Sequence, residues 1–222
     1  MNFIYSNHKN GIEITKDILY HTNKIKRIYW TNEEIDNYFG KRSAQDIIQN
    51  GTTCFMNPCF DLTLASAGIL FGNKIPHTFV IEEHFPTKDF PFNRLHFVLE
   101  FEDKKEKYFL NYKKTNEVYL SGGRYNGRED IPCAQIIRIP GERINPEKTL
   151  SENMGYDTLE NLIYDKFKGY SIRKNIDRLK QDNSEEKYKL YDANYGKEFK
   201  LITKLQNQLS LLPYKEQSLQ QI

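Results

Sequence analysis

The run from Pro58 to Gly72 limits the architecture more than any other part of the chain. Leu62, Leu64, Ala65, Ala67, Ile69, Leu70 and Phe71 spread apolar side chains nearly all round a helix. Such a helix has no face for solvent and must sit inside the protein. Asn57 is a good N-cap, and Pro58 suits the first helical position, where its missing N–H would have no partner anyway. Gly72-Asn73 ends the run. Cys59 therefore falls in the first helical turn, and the rest of the chain has to cover this helix.

A chain of 222 residues can bury one substantial core, and its 15 Tyr and 14 Phe supply much of the material. Upstream, Ile14, Ile18, Ile25 and Ile28 recur at helical spacing. Thr31-Asn-Glu-Glu34 then has the form of a capping box that opens a second short helix, ended by Gly40. Ser43-Ala-Gln-Asp46 opens another turn, Asn50-Gly51 stops it, and a loop leads to the cysteines. After the central helix the texture becomes β-branched and aromatic over 77–83, 95–102, 107–112, 117–120 and 134–139. Together these predict an α+β fold in which the cysteine-bearing helix packs on an antiparallel sheet, with helical extensions at both ends.

From Asp157 the pattern returns to helix. Asp157-Thr-Leu-Glu160 reads as a capping box, and Ile172, Ile176 and Leu179 lie at helical spacing. Residues 180–196 are charged, show little periodicity and read as a linker. Phe199, Ile202, Leu205, Leu209 and Leu212 line one face of an expected terminal helix over 197–212, which must dock on the body, a partner or a second copy. Residues 1–150 are thus expected to form the α+β core with its N-terminal helices, and residues 151–222 a helical C-terminal extension.

The 32 Lys and Arg stand against 30 Asp and Glu, interleaved instead of gathered in a stripe, so nucleic acid is not the expected partner. No apolar segment approaches the length of a membrane span, and MNFIYSNHKN lacks a signal-peptide apolar region. A cytoplasmic location, no membrane partner and reduced thiols are the expectation, since three cysteines make no disulfide framework.

The chemistry gathers around Cys59. A thiol in the first turn of a helix feels the positive end of the macrodipole, which favours the thiolate. A nucleophile also needs a base, and Leu95-His-Phe-Val-Leu-Glu-Phe-Glu102 alternates so that His96, Val98, Glu100 and Glu102 share one face. A two-residue turn at Asp103-Lys104 would set Glu102 against Lys105, Glu100 against Lys107, Val98 against Phe109 and His96 against Asn111. Directly opposed Cβ atoms lie roughly 4.5–5.5 Å apart, within reach of a hydrogen bond from Asn111 to the imidazole.

The segments RSAQDIIQNG, CFDLTLASAGILFGNKIPHTFV, LHFVLEF and YFLNY resemble the transglutaminase-like superfamily of cysteine enzymes over roughly residues 42–125. Cys59, Asp61, Ile75-Pro76, His96 and Asn111 occupy the places of that superfamily's Cys-x-Asp, Ile-Pro, histidine and orienting acid. Asn111 stands where most members carry Asp. The resemblance implies a Cys59-His96-Asn111 triad without metal or cofactor. Such a triad acts on a peptide or isopeptide-like amide through a thioester, as a cysteine protease-like hydrolase or an acyltransferase.

Three other readings are weighed against it. A catalytically silent protein-binding module could use the same fold. Gly51-Thr-Thr-Cys54-Phe55 also resembles the nucleophile segment of arylamine N-acetyltransferases, which would make Cys54 the nucleophile. A metal site built on Cys54 and Cys59 lacks a second ligand pair, because Cys133 stands alone. His77 and His84, on opposite faces of one strand, read as edge or surface residues, and Ser121 to Gly127 as a flexible turn in which Arg124 could meet an acidic substrate.

Overall fold

The computed structural model describes residues 10–88, 93–113, 116–127, 133–168 and 170–204. The chain opens with helix α1 (Gly11–Thr22), strand β1 (Lys26–Ile28), α2 (Asn32–Tyr38), α3 (Ala44–Asn50) and β2 (Thr52–Cys54), and then enters α4 (Pro58–Gly72). Capping boxes at Thr31/Glu34 and Ser43/Asp46 start α2 and α3, as their sequences require. Gly51, at φ 63°, closes α3 in the left-handed region that glycine tolerates. The isoleucine spacing overruns α1, because Ile25 and Ile28 lie beyond its end. β1 and β2 pair in parallel, Ile28 beside Cys54, where an extended loop was expected to lead to the cysteines.

As its composition demands, α4 is surrounded. Pro58 and every residue from Phe60 to Leu70 are buried. Its polar side chains are satisfied inside: the Ser66 hydroxyl donates to Leu62 O at 2.7 Å and lies 2.6 Å from the Tyr112 hydroxyl. At Gly68 a side chain would meet Ala44 Cβ at 2.7 Å, so glycine is what lets α3 pack this closely on α4.

The other side of α4 rests on a six-stranded sheet in the order β7-β3-β4-β5-β6-β8: β3 (His77–His84), β4 (Arg94–Asp103), β5 (Glu106–Tyr112), β6 (Glu117–Gly122), β7 (Cys133–Pro140) and β8 (Lys200–Lys204). Five of these strands fall where the sequence pattern puts them, and their pairings are antiparallel. The edge strand β8 runs parallel to β6, which corrects the expectation of a terminal helix over 197–212. Burial of Phe199, with Leu201 and Ile202 half-buried on the edge of an existing sheet, outweighs the helical spacing; residues 205–222 lie outside the described residues. Phe199 is held by its N–H to Asn23 Oδ1 at 2.9 Å and by its ring against Tyr112.

Between β7 and β8 lie α5 (Leu150–Asn153), α6 (Leu159–Lys166), α7 (Arg173–Asp182) and α8 (Glu185–Tyr195). The cap of α6 is Thr158, and Asp157 is not part of it. The stretch read as a linker is the end of α7 followed by α8, capped by Ser184. α8 shows no apolar stripe because none of its residues is buried and tyrosines dock it: Tyr188 and Tyr191 flank Phe55, and the Tyr191 hydroxyl donates to Asn116 Oδ1 at 3.1 Å. Leu150, Leu162, Ile163, Phe167 and Leu179 join the same core as α4, so residues after 150 complete that core instead of standing apart from it. Among the described residues no helix is long and apolar enough to cross a membrane.

On the sheet's second face the described start of the crossover from β6 to β7, residues 123–127, reaches over β5, β4 and β3. Tyr125 anchors it: its N–H donates to Glu100 Oε1 at 2.8 Å, its hydroxyl to Glu82 Oε2 at 2.5 Å, and Arg138 donates to its carbonyl. Val80, Val98 and Tyr125 form a small apolar cluster there, apart from the main core.

Candidate active site

Cys59 is the second residue of α4 and is half-buried. Its thiol donates to Asn57 Oδ1 at 3.0 Å. Asn57, although at the N-cap position, makes no capping bond with its side chain and turns to the thiol instead. That contact is invisible to a reading that assigns Asn57 the ordinary capping role.

The start of α4 is fixed by a buried tie to the segment before it. Arg42 donates to Asp61 and, at 2.9 Å, to Thr52 O, and its guanidinium stacks on the Trp30 ring at 4.7 Å. The Thr53 hydroxyl reaches the same Asp61 oxygen at 2.8 Å. Burial pushes the Asp61 carboxyl up, against the pull of Arg42 and Thr53. Two residues after the cysteine, Asp61 thus locks α4 to β2. Its partner Arg42 lies 19 residues upstream with no local signal to link them.

His96 and Asn111 are brought together: His96 Nε2 lies 2.8 Å from Asn111 Oδ1. An amide oxygen only accepts, so Nε2 carries the proton and the basic lone pair is on Nδ1. The register that produces the contact is not the expected one. Asp103 pairs with Glu106, Glu102 with Lys107 and Glu100 with Phe109, two residues away from the predicted alignment. The turn is Lys104-Lys105, both at positive φ, and not Asp103-Lys104. A shift of two keeps every side chain on its face, so His96 reaches Asn111 along a diagonal instead of straight across.

His96 shares its face with Val98, and therefore with the crossover, whereas Phe97 points to α4. Phe97 packs edge-on against Phe60 at 4.9 Å, and Thr63 Oγ1 donates to Phe97 O at 3.3 Å. The residues next to Cys59 and next to His96 are thus in contact. The structure thus brings His96 to Asn111 but places both on the face of the sheet turned away from α4, which carries Cys59.

His84 and Glu82 enter this neighbourhood unforeseen. Expected at an edge or on the surface, His77 and His84 are buried, because β3 lies between β7 and β4. His84 Nε2 is 2.7 Å from Glu82 Oε2 without the alignment of a hydrogen bond, and its ring centroid lies 5.9 Å from that of His96. Glu82 is fully buried and is the ladder partner of His96. Their i, i+2 spacing could have placed both residues beside His96, but only the interior position of β3 reveals their burial.

Cys54 is fully buried, its thiol 3.8 Å from Asn183 Oδ1. Cys133 pairs across the ladder with His84, and burial together with the nearby Glu82 carboxylate pushes its thiol up to about 11. No two cysteines are bridged, and no cluster of three or more His, Cys, Asp or Glu among the described residues could hold a metal ion. Arg124 borders an open cavity of about 320 Å³ with His77, Glu100, Lys107 and Arg138, toward the opposite end of β4 from His96. No family model matches the chain, and neither curated proteins nor solved structures show a significant match to it.

Proposed function

We propose that the chain is a transglutaminase-like cysteine enzyme that opens a peptide or isopeptide-like amide through a thioester. Cys59 is the nucleophile, His96 the base and Asn111 the group that orients it. The observation that carries this reading is the 2.8 Å contact of His96 Nε2 with Asn111 Oδ1, which pairs a base with an orienting group. Asn111 holds the proton on Nε2, and the Nδ1 lone pair takes the proton of the thiol once the first turn of α4 and the end of β4 that carries His96 are brought together. The thiolate attacks the carbonyl carbon, and N–H groups of the first turn of α4 face the developing oxyanion. The imidazolium protonates the departing amine, leaving the thioester. Water, deprotonated by His96, then attacks the thioester, releasing the acid and returning the proton to sulfur; an amine in place of water gives transfer. Hydrolysis is the favoured outcome, since among the described residues no feature marks a second site for an acyl-accepting amine. The substrate is a protein or peptide in a reducing compartment such as the cytoplasm.

A second reading, a silent protein-binding module, is favoured by the thiol's bond to Asn57 Oδ1, an acceptor other than the imidazole. Site-resolved alkylation with iodoacetamide at neutral pH separates the two. Catalysis requires Cys59 to react faster than Cys54 and Cys133, and His96→Ala to slow it by roughly tenfold or more. If Cys59 reacts no faster than the other two and His96→Ala leaves its rate unchanged, the binding module stands. Reaction at Cys54 in preference to Cys59 would instead point to the acetyltransferase-like alternative.

A further inference from the structure

The sheet face that carries His96 also carries an acid that no step above uses. Glu82 is fully buried, stands directly across the β3–β4 ladder from His96, and receives the Tyr125 hydroxyl at 2.5 Å. A buried carboxylate is costly unless cations or donors compensate it, and two imidazoles lie in position to do so. His84 is in ion-pair range at 2.7 Å, and its ring lies beside that of His96 at a centroid distance of 5.9 Å.

We propose that the Glu82 carboxylate is a positioning group for His96, its charge shared between His84 and His96 so that it sets how readily His96 accepts a proton. This role rests on His96 being the base of the reaction above. The thiol's proton must end on His96, and an anion across the ladder stabilises the imidazolium that results. His84 opposes the effect, because it shares the same carboxylate at 2.7 Å and its ring lies beside that of His96.

The other charged groups around His96 are not arranged to replace Glu82. Arg94, on the same face of β4, and Lys113, just beyond β5 with its ammonium 4.3 Å over the Tyr119 ring, are cations. Cys133 of β7 stays a neutral thiol over the working range, Asn111 is neutral, and Glu83 points to the opposite face. Glu100 on β4 is engaged by Tyr125 N and Arg138. Glu82 is therefore the carboxylate placed to stabilise His96 among the described residues.

The test is an imidazole proton NMR titration of His96 in the full chain and in single variants. Glu82→Gln is expected to lower the His96 midpoint by about one pH unit, and His84→Gln to raise it. Glu82→Asp, which keeps the charge, should leave the midpoint closer to that of the parent than Glu82→Gln does. Loss of packing alone would not move the midpoint in opposite directions in neighbouring variants. An unmoved midpoint, or shifts of the same sign in both variants, overturns the proposal. If Glu82→Gln does not fold, His84→Gln decides alone: a rise supports the role, and no change or a fall ends it. The readout does not depend on thiol chemistry. Opposed shifts with an unreactive Cys59 would sink the enzyme reading only, and a reactive Cys59 with no shifts would sink this inference only.

Discussion

The two faces of the sheet are made from the same strands and do opposite work. Toward α4, Phe97, Leu99, Phe101, Leu110 and Tyr112 belong to the main apolar core. Toward the crossover, His96, Glu100, Glu82, His84, Asn111 and Arg138 surround an apolar cluster built on Val80, Val98 and Tyr125. Because side chains alternate, each residue of β4 that builds the core has a neighbour available for chemistry. The core face fixes the backbone, and the crossover face uses that fixed backbone to hold polar groups at set distances.

Two adjacent residues give the sharpest comparison. Phe97→Ala removes a ring in contact with Phe60 and Phe79 and is expected to cost about 3–5 kcal/mol of unfolding free energy in urea. His96→Ala removes a half-buried ring with its bond to Asn111 and should cost about 1 kcal/mol, while abolishing the fast alkylation of Cys59. Equal losses of stability would mean that the two faces are not divided in this way.

Cys133 tests the crossover face by titration. Burial first, and Glu82 second, push its thiol up to about 11. Its alkylation should therefore stay slow at pH 8 and rise steeply with pH toward 11, well above the ordinary thiol range. Because the fold disfavours the thiolate, the stability contribution is complete below the ordinary thiol value and is lost as pH rises through about 11. Glu82→Gln removes one of the causes and should speed Cys133 alkylation at pH 8. An unchanged rate would mean that burial alone raises the thiol.

What the sequence reveals follows from how local the determining physics is. The caps of α2 and α3, the apolar helix α4 and five alternating strands depend on neighbours a few residues apart, and all are legible. β1 and β2 depend on each other across 26 residues, and β8 on an edge made by β6, so they read as helix or loop. α8 is held by Phe55 and Asn116, far away in sequence, and its charged surface hides it as a linker. At the site, Cys59 in the first turn and the face shared by His96 and Asn111 are visible from spacing alone. The Asn57 bond to the thiol, the Arg42–Asp61 tie and the burial of Glu82 and His84 require the tertiary structure.

The smallest expected effect concerns the turn that sets the two faces in register. Lys104 and Lys105 sit at φ 49° and 72°, where a side chain is disfavoured by about 1–2 kcal/mol relative to the right-handed region. Two-residue hairpin turns of this kind prefer Asn-Gly, and the absence of that signal is why a reading based on charge pairing aligns the strands two residues away. Replacing Lys104-Lys105 with Asn-Gly relieves the strain, although glycine gives back part of the gain through the entropy of the unfolded chain. A net stabilisation of about 1 kcal/mol in urea is expected, with no change in Cys59 alkylation, because the register and the His96–Asn111 contact stay as they are. A loss of stability would mean that the lysines contribute something beyond the turn. A change in Cys59 reactivity without a change in stability would mean that the register moves with the turn, carrying His96 away from Asn111 while leaving each residue on its own face.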